Sequence, residues 1–158
     1  METIAQLNQA RRPVLLAGNG IRLSEGREEF EKLVEILQIP VLTTWNGIDL
    51  IEEEHPLFFG RPGGMGQRYA NFVQQNSDFF LSIGARMNLL QTGYNFDGFA
   101  RAAYKVMVDI DENELHKINV RPQLAIEADA KDSCSFYWNI KMRFRKKIIR
   151  HGSTMQKK

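Results

Sequence analysis

Short apolar runs of strand length alternate along this chain with segments of helical pattern. Continuous or nearly continuous apolar runs lie at 13–17, 40–43, 79–83, 105–110 and 124–127. Between the first two runs, Phe30, Leu33, Val34 and Leu37 recur at i, i+3, i+4 and i+7, which predicts an amphipathic helix. Strands that alternate with helices are typical of a parallel sheet with crossover connections, so we predict an α/β fold.

Further helices are predicted at residues 2–10, 67–75, 112–117 and 131–150. Ser24 is the predicted N-cap of the helix with the apolar stripe, because a serine side chain can accept hydrogen bonds from first-turn amides. Residues 44–66 carry no regular pattern. Irregular stretches of that length in compact domains are usually functional or disordered.

Length and composition predict one ordinary domain. A chain of 158 residues with 43% hydrophobic content can bury a full core. It contains no apolar run that could span a bilayer and no signal-peptide pattern, so we expect a cytoplasmic protein without membrane association. The single cysteine, Cys134, rules out an internal disulfide, and no nearby histidine would activate its thiol. The three histidines lack metal-ligand spacing, so no metal site is expected.

The charge is divided unevenly along the chain. The last twenty residues carry eight basic side chains and no acid, and removing these from the formal total of +2 leaves −6 for the body. The basic tail therefore predicts either a solvated or truncated end or a nucleic-acid contact, and the first is favoured. Aromatic residues among basic ones, the pattern of nucleic-acid binding, are sparse here.

Glycine-rich turns follow several of the predicted strands. Gly84-Ala85-Arg86 ends the run at 79–83, and a segment rich in glycine precedes it at 60–66. Ligands of open α/β sheets bind beyond the carboxyl ends of the strands, and glycine lets the backbone approach them closely. The alternative is that these glycines only mark loops.

The turn Gly18-Asn19-Gly20 follows the first predicted strand and invites comparison with a dinucleotide-binding fingerprint. The third glycine of that fingerprint is replaced by Leu23, and the second strand ends in Thr43 and Thr44 rather than in an acidic residue. An ordinary NAD site is therefore not expected. The turn could admit a nucleotide phosphate or simply let the chain pass.

Five motifs in order resemble the central domain of thiamine-diphosphate enzymes of the acetolactate synthase type, over residues 1–133. They are Pro13-Val14-Leu15-Leu16-Ala17-Gly18-Asn19-Gly20, Ile39-Pro40-Val41-Leu42-Thr43-Thr44-Trp45-Asn46-Gly47, the glycine-rich segment from Gly60 through Arg86, Val108-Asp109-Ile110-Asp111, and Glu127-Ala128-Asp129-Ala130. The resemblance implies a three-layer, Rossmann-like fold with a parallel sheet of six strands and helices on both faces. It places a helix and basic tail at 134–158, outside the domain.

In acetolactate synthases such a domain binds FAD, and in other members it binds another ADP-containing nucleotide or acts as a spacer. The resemblance implies that each position of this chain that matches a cofactor contact of the family has the same role. The turn glycines and second-strand threonines would lie beside the ribose, phosphates and flavin, Arg86 would pair with the diphosphate, and the late carboxylates would contact the adenine-side ribose. These positions are Gly18, Gly20, Thr43, Thr44, Gly63, Gly66, Arg86, Asp109, Ile110, Asp129 and Ala130.

Two departures weaken the argument for FAD in particular. Neither departure excludes the binding of another nucleotide. Flavin-binding members tend to have Gly-Met-His-Gly where this chain has Gly63-Gly64-Met65-Gly66, and a second basic residue where it has Leu90. For Arg86 a surface ion pair, and for the aspartates solvated turn positions, are the alternatives.

The resemblance further implies a parent enzyme that decarboxylates a 2-keto acid and transfers the two-carbon unit, with thiamine diphosphate and magnesium held by preceding and following domains. This chain has no Gly-Asp-Gly motif for magnesium, so we expect a central domain that is not catalytic alone. The resemblance also implies that the parent enzyme is a homo-oligomer. A free-standing nucleotide-binding module and a nucleic-acid binder acting through the tail are the alternatives.

Overall fold

The computed structural model describes residues 1–141, which form one α/β unit. Its strands are β1 (Pro13–Ala17), β2 (Val41–Thr43), β3 (Phe79–Ile83), β4 (Tyr104–Asp109) and β5 (Leu124–Glu127). Its helices are α1 (Glu2–Gln9), α2 (Gly20–Leu23), α3 (Arg27–Leu37), α4 (Arg68–Gln75), α5 (Leu89–Thr92), α6 (Glu112–His116) and α7 (130–141), with a 3₁₀ turn at Trp45–Gly47. No helix in this part of the chain is both long and apolar enough to cross a bilayer.

All five strands are parallel and lie in the order β2-β1-β3-β4-β5. The order reverses between β1 and β3, and such switch points form a crevice at the carboxyl edge of a sheet. Residues 57–60 run beside β2, where the Val41 amide donates to the Leu57 carbonyl at 2.7 Å and the Phe59 amide donates to the Val41 carbonyl at 2.8 Å. This edge segment lies where a sixth strand would, so the predicted Rossmann-like fold with a sheet of about six strands is confirmed.

Helices cover both faces of the sheet, as expected for strands whose side chains are apolar on both sides. On one face α1, α3 and α7 pack against residues such as Leu15 and Leu81, and on the other α4 and α6 pack against their neighbours Leu16 and Phe80. The Phe80 ring meets Phe99 edge to face, with centroids 5.4 Å apart. The alternation follows the two-residue period of a strand.

The predicted strands agree with the structure, but the predicted N-cap is wrong. The helix with the apolar stripe begins at Arg27 with Gly26 as its N-cap, and Ser24 instead ends α2, where its hydroxyl donates to the Ile21 carbonyl at 3.1 Å. A Cβ at Gly26 would lie 2.9 Å from the Lys131 Cα, so the packing of α7 favours glycine at this N-cap position.

The predicted boundary after residue 133 stays a prediction, and α7 crosses it. Cys134 and Tyr137 are buried in the core beneath α1, and the Tyr137 hydroxyl lies 3.3 Å from that of Thr3. The predicted helix at 131–150 is helical through residue 141, and its remainder lies outside the described residues. Most of the basic tail lies outside them as well.

The turns after β1 and β3 make a close backbone contact. The Gly18 amide donates to the Ile83 carbonyl and the Gly20 amide to the Gly84 carbonyl, each at 2.9 Å. A Cβ at Gly18 would lie 2.1 Å from the Gly84 oxygen, well inside van der Waals contact. Glycine at position 18 is therefore a packing requirement of the fold.

A second contact fixes the amino-terminal ends of the same two strands. The Asp78 carboxylate accepts hydrogen bonds from the amides of Arg11 and Arg12, at 2.9 and 2.8 Å. Burial alone would raise the pKa of Asp78, but these amide bonds outweigh it and the pKa is lowered. The ionised carboxylate thus joins the entry of β1 to the entry of β3.

We expect Gly18→Ala to lower the free energy of unfolding by about 3 kcal/mol, as for overpacking against backbone that cannot move aside. Urea denaturation would measure the change. Gly64→Ala is the matched control, because its nearest neighbour would be the Leu90 oxygen at 3.7 Å. Equal stabilities for the two variants would contradict the packing argument.

We expect Asp78→Asn to destabilise the protein by about 1–2 kcal/mol at pH 7, because one of two amides loses its acceptor. A carboxyl whose folded pKa is depressed stabilises the fold above its unfolded pKa, and that contribution is lost as pH falls. The gap between wild type and variant in urea denaturation should therefore shrink below about pH 4. A gap that is the same at pH 7 and pH 3 would refute the role of ionisation.

Candidate functional site

A cavity of about 650 Å³ opens at the carboxyl edge of the sheet. The turns after all five strands contribute to its wall, together with α5 and the first turns of α2 and α6. It therefore lies where the switch between β1 and β3 predicts a crevice, and its size falls in the usual range of ligand pockets, about 300–1,000 Å³.

Seven of the eleven predicted site residues line this cavity: Gly20, Thr44, Arg86, Asp109, Ile110, Asp129 and Ala130. They come from segments spread over more than a hundred positions of the sequence, and the parallel strands bring them to one edge. The remaining four, Gly18, Thr43, Gly63 and Gly66, do not line it.

Gly18 and Thr43 are buried next to residues that line the cavity. Gly18 is buried against the turn after β3, and Thr43 is fully buried in β2. The Thr43 hydroxyl oxygen has no hydrogen-bond partner among the described residues. These two positions support the turns that line the cavity.

Gly63 and Gly66 lie in a loop that folds upon itself. Gly63 exchanges two hydrogen bonds with the Asn71 side chain, at 2.9 and 3.0 Å, and the Gly64 amide donates to the Leu90 carbonyl at 2.7 Å. A Cβ at Gly66 would meet the Gly63 nitrogen at 2.5 Å. Leu90, which this loop contacts through the Gly64 amide, lines the cavity.

Arg86 lies at the cavity wall in an ion pair. Its Nε donates to Glu114 Oε1 at 2.9 Å, while the side chain remains 72% exposed. Lys117 Nζ contacts Glu114 Oε2 and also the Arg86 carbonyl. The hydrogen bond from Lys117, followed by that from Arg86, lowers the pKa of Glu114 despite its burial.

The backbone that carries Arg86 has an unusual conformation. Gly84 has φ 60°, and Arg86 and Met87 follow in the left-handed region with φ 59° and 45°. Residues other than glycine adopt this region at a cost, and such strain clusters at functional sites. The Asn119 side chain donates to the Met87 carbonyl at 2.7 Å and holds the turn in place.

Three carboxylates lie on the β4 and β5 side of the cavity. Oδ1 of Asp109 accepts from the Asp111 amide at 3.2 Å, Oδ1 of Asp111 accepts from the Asn113 amide at 2.9 Å, and Oδ1 of Asp129 accepts from the Lys131 amide at 2.8 Å. The Asn113 side chain and amide lower the pKa of Asp111. Each aspartate thus shapes its own turn through one oxygen, and the other oxygen accepts no hydrogen bond within residues 1–141.

The sequence profile of the central domain of thiamine pyrophosphate enzymes matches residues 1–136. The chain belongs to this family.

Relatives of this chain include acetolactate synthases. The chain is 42% identical over 130 residues to a probable acetolactate synthase large subunit of Methanococcus aeolicus, covering 82% of this chain and 21% of that protein. It is 39% identical over 130 residues to the probable chloroplastic acetolactate synthase 2 of Oryza sativa subsp. japonica, covering 82% and 19%. For the acetolactate synthase isozyme 1 large subunit of Escherichia coli the values are 34% over 131 residues, 83% and 23%. The chain thus spans about a fifth of the relatives it matches.

Several wall residues of the central domain were not predicted from the sequence. Leu23 and Trp45 line the cavity and are 76% and 50% exposed, and Glu114 lines it from α6. Leu23 and Trp45 carry no local signal of exposure, since apolar residues in short helical turns are usually buried. Glu114 could have been found only from its contact with Arg86, twenty-eight positions away.

We expect the Cys134 thiol to be inert in the folded domain. Burial raises its pKa to about 12, so almost no thiolate forms near neutral pH. Alkylation with iodoacetamide at pH 8, followed by mass spectrometry, should be roughly 100-fold slower in buffer than in denaturing urea. Comparable rates would contradict the packing of α7 on the core.

Proposed function

We propose that this domain binds an ADP-containing nucleotide, FAD or another, in the cavity at the carboxyl edge of the sheet. The observation that carries the proposal is the juxtaposition, in one cavity, of a guanidinium from the β3 turn with carboxylates from the β4 and β5 turns. A diphosphate flanked by ribose hydroxyls needs these two kinds of group side by side.

The chemistry of the wall fits such a ligand. Arg86 is a fixed cation whose planar N–H groups match phosphate oxygens. Asp109 and Asp129 can accept from ribose hydroxyls through the carboxylate oxygens that their turns leave free. Ile110, 70% exposed, offers an apolar surface to a base.

Two features of the chain argue against FAD in particular, although not against another nucleotide. Leu90 lines the cavity, 68% exposed, where flavin-binding members have a second basic residue, and no histidine stands beside Met65. The apolar Trp45 and Leu90 suit an aromatic ring in place of a second anion contact. A spacer role remains the alternative, favoured by the ion pair that already engages Arg86.

At the level of the whole protein, we propose an acetolactate-synthase-like enzyme that decarboxylates a 2-keto acid and transfers the two-carbon unit. Thiamine diphosphate and magnesium would be held by thiamine-binding domains that flank this one in a cytoplasmic homo-oligomer. The names of the relatives and the family match support this proposal. The cofactor supplies the carbanion chemistry, and the central domain contributes a scaffold.

We expect FAD and ADP to raise the melting temperature of the domain by several degrees, because a ligand at a hundred times its dissociation constant stabilises by about 2.7 kcal/mol. A thermal-shift series with FAD, ADP, NAD and coenzyme A would test this. NAD, which also contains ADP, should give a smaller shift than FAD or ADP, since the dinucleotide fingerprint is incomplete. No shift with any of the four would favour the spacer role.

We expect Arg86→Ala to weaken binding of ADP by on the order of 2 kcal/mol, the contribution of a charge-assisted hydrogen bond. Isothermal titration calorimetry would measure it. Arg27→Ala is the matched control, because Arg27 is also an exposed arginine in an ion pair, with Glu31, and does not line the cavity. Unchanged affinity in Arg86→Ala would identify Arg86 as a surface ion pair only.

A further inference from the structure

Residues 114–119 hold both the side chain and the backbone of Arg86. We infer that Glu114 is a positioning residue for Arg86, acting with Asn119, in the nucleotide site proposed above; the inference rests on that proposed function. Neither residue needs to touch the ligand. Their role is to fix where the guanidinium points.

The contact with Glu114 leaves the two terminal nitrogens of the Arg86 guanidinium available to a ligand. Glu114 accepts from Nε of Arg86, while the two terminal nitrogens make no hydrogen bond within the described residues. Those nitrogens carry four of the five N–H donors of an arginine. Glu114 is itself held, since it is only 19% exposed and its second oxygen contacts Lys117. Arg86, although largely exposed, is therefore held at Nε, while its two terminal nitrogens can still bind a ligand.

The backbone contacts fix the position from which the side chain starts. Arg86 and Met87 both lie in the left-handed region, with φ 59° and 45°. Lys117 donates to the Arg86 carbonyl and Asn119 to the Met87 carbonyl. One short segment after β4 thus stabilises a strained turn after β3 that the chain would otherwise relax.

Glu114 could change the affinity for an anionic ligand in two opposite ways. Its charge could repel a diphosphate or compete for Arg86, which would weaken binding. Lys117 contacts the other carboxylate oxygen and offsets that charge, and Arg86 offsets the rest. Releasing Arg86 would instead add the cost of ordering a long exposed side chain when the ligand binds, about two- to twelve-fold in affinity. Positioning therefore outweighs repulsion.

The test compares two ligands that differ only in the diphosphate. Isothermal titration calorimetry would give the affinities of the full 158-residue chain for ADP and for adenosine. We expect Glu114→Ala to weaken ADP about five-fold and to leave adenosine within about two-fold, because only the diphosphate uses Arg86. Glu114→Gln should recover most of the loss, since its amide oxygen still accepts from Arg86 Nε.

Two further variants isolate the effect. Glu112→Ala, an exposed acid on the same helix that does not line the cavity, should bind both ligands as wild type does. In an Arg86→Ala background, Glu114→Ala should cause no further loss for ADP, because its effect passes through Arg86. A further loss of five-fold there would overturn the inference.

Two other outcomes would overturn the positioning role of Glu114. Tighter ADP binding by both Glu114→Ala and Glu114→Gln would show that Glu114 competes with the ligand. Equal losses for ADP and adenosine would show a role in folding alone. Should Glu114→Ala fail to fold, Asn119→Ala releases only the Met87 carbonyl; we expect it to weaken ADP about three-fold and to spare adenosine, and unchanged ADP affinity would overturn the inference.

The failure of this inference can be told apart from failure of the proposed function. A wild-type chain that binds neither ADP nor FAD overturns both. A wild-type chain that binds ADP, with Glu114→Ala binding it equally well, overturns only the positioning role.

Discussion

The site depends on a contact in which two backbone turns meet with no side chain between them. Gly18 and Gly20, after β1, lie against Gly84, after β3, so closely that a Cβ at Gly18 would lie 2.1 Å from the Gly84 oxygen. Amide hydrogen bonds tie the turns together. Because Gly20 and Gly84 both line the cavity, this contact sets its floor. It also sets the direction in which the chain leaves β3 toward Arg86.

Charge at the cavity is organised by the turns themselves. Asp109, Asp111 and Asp129 each use one oxygen to close the turn in which they lie, and Arg86 is held by Glu114. The same side chains therefore stabilise the loops and present polar groups to the cavity. The loops therefore need these residues whether or not a ligand binds in the cavity.

The strands could be predicted because they are apolar on both faces, and that pattern survives in any α/β context. The four-residue helices α2 and α5 and the 3₁₀ turn at Trp45–Gly47 were missed, because segments so short show no helical period. The error at Ser24 follows from missing α2: Ser24 ends that short helix, and its hydroxyl donates to the Ile21 carbonyl, so it is not the N-cap of α3.

The sequence by itself determined the family, the parallel α/β architecture and seven of the residues that line the cavity, because collinear turn motifs after strands reach the same edge of any parallel sheet. Only the tertiary structure decided that Gly63 and Gly66 fold into a loop that does not line the cavity, and that Arg86 is held by Glu114. The physical reason is distance along the chain. Contacts between residues that are far apart in sequence depend on the packing of the segments between them, and no local pattern records that packing.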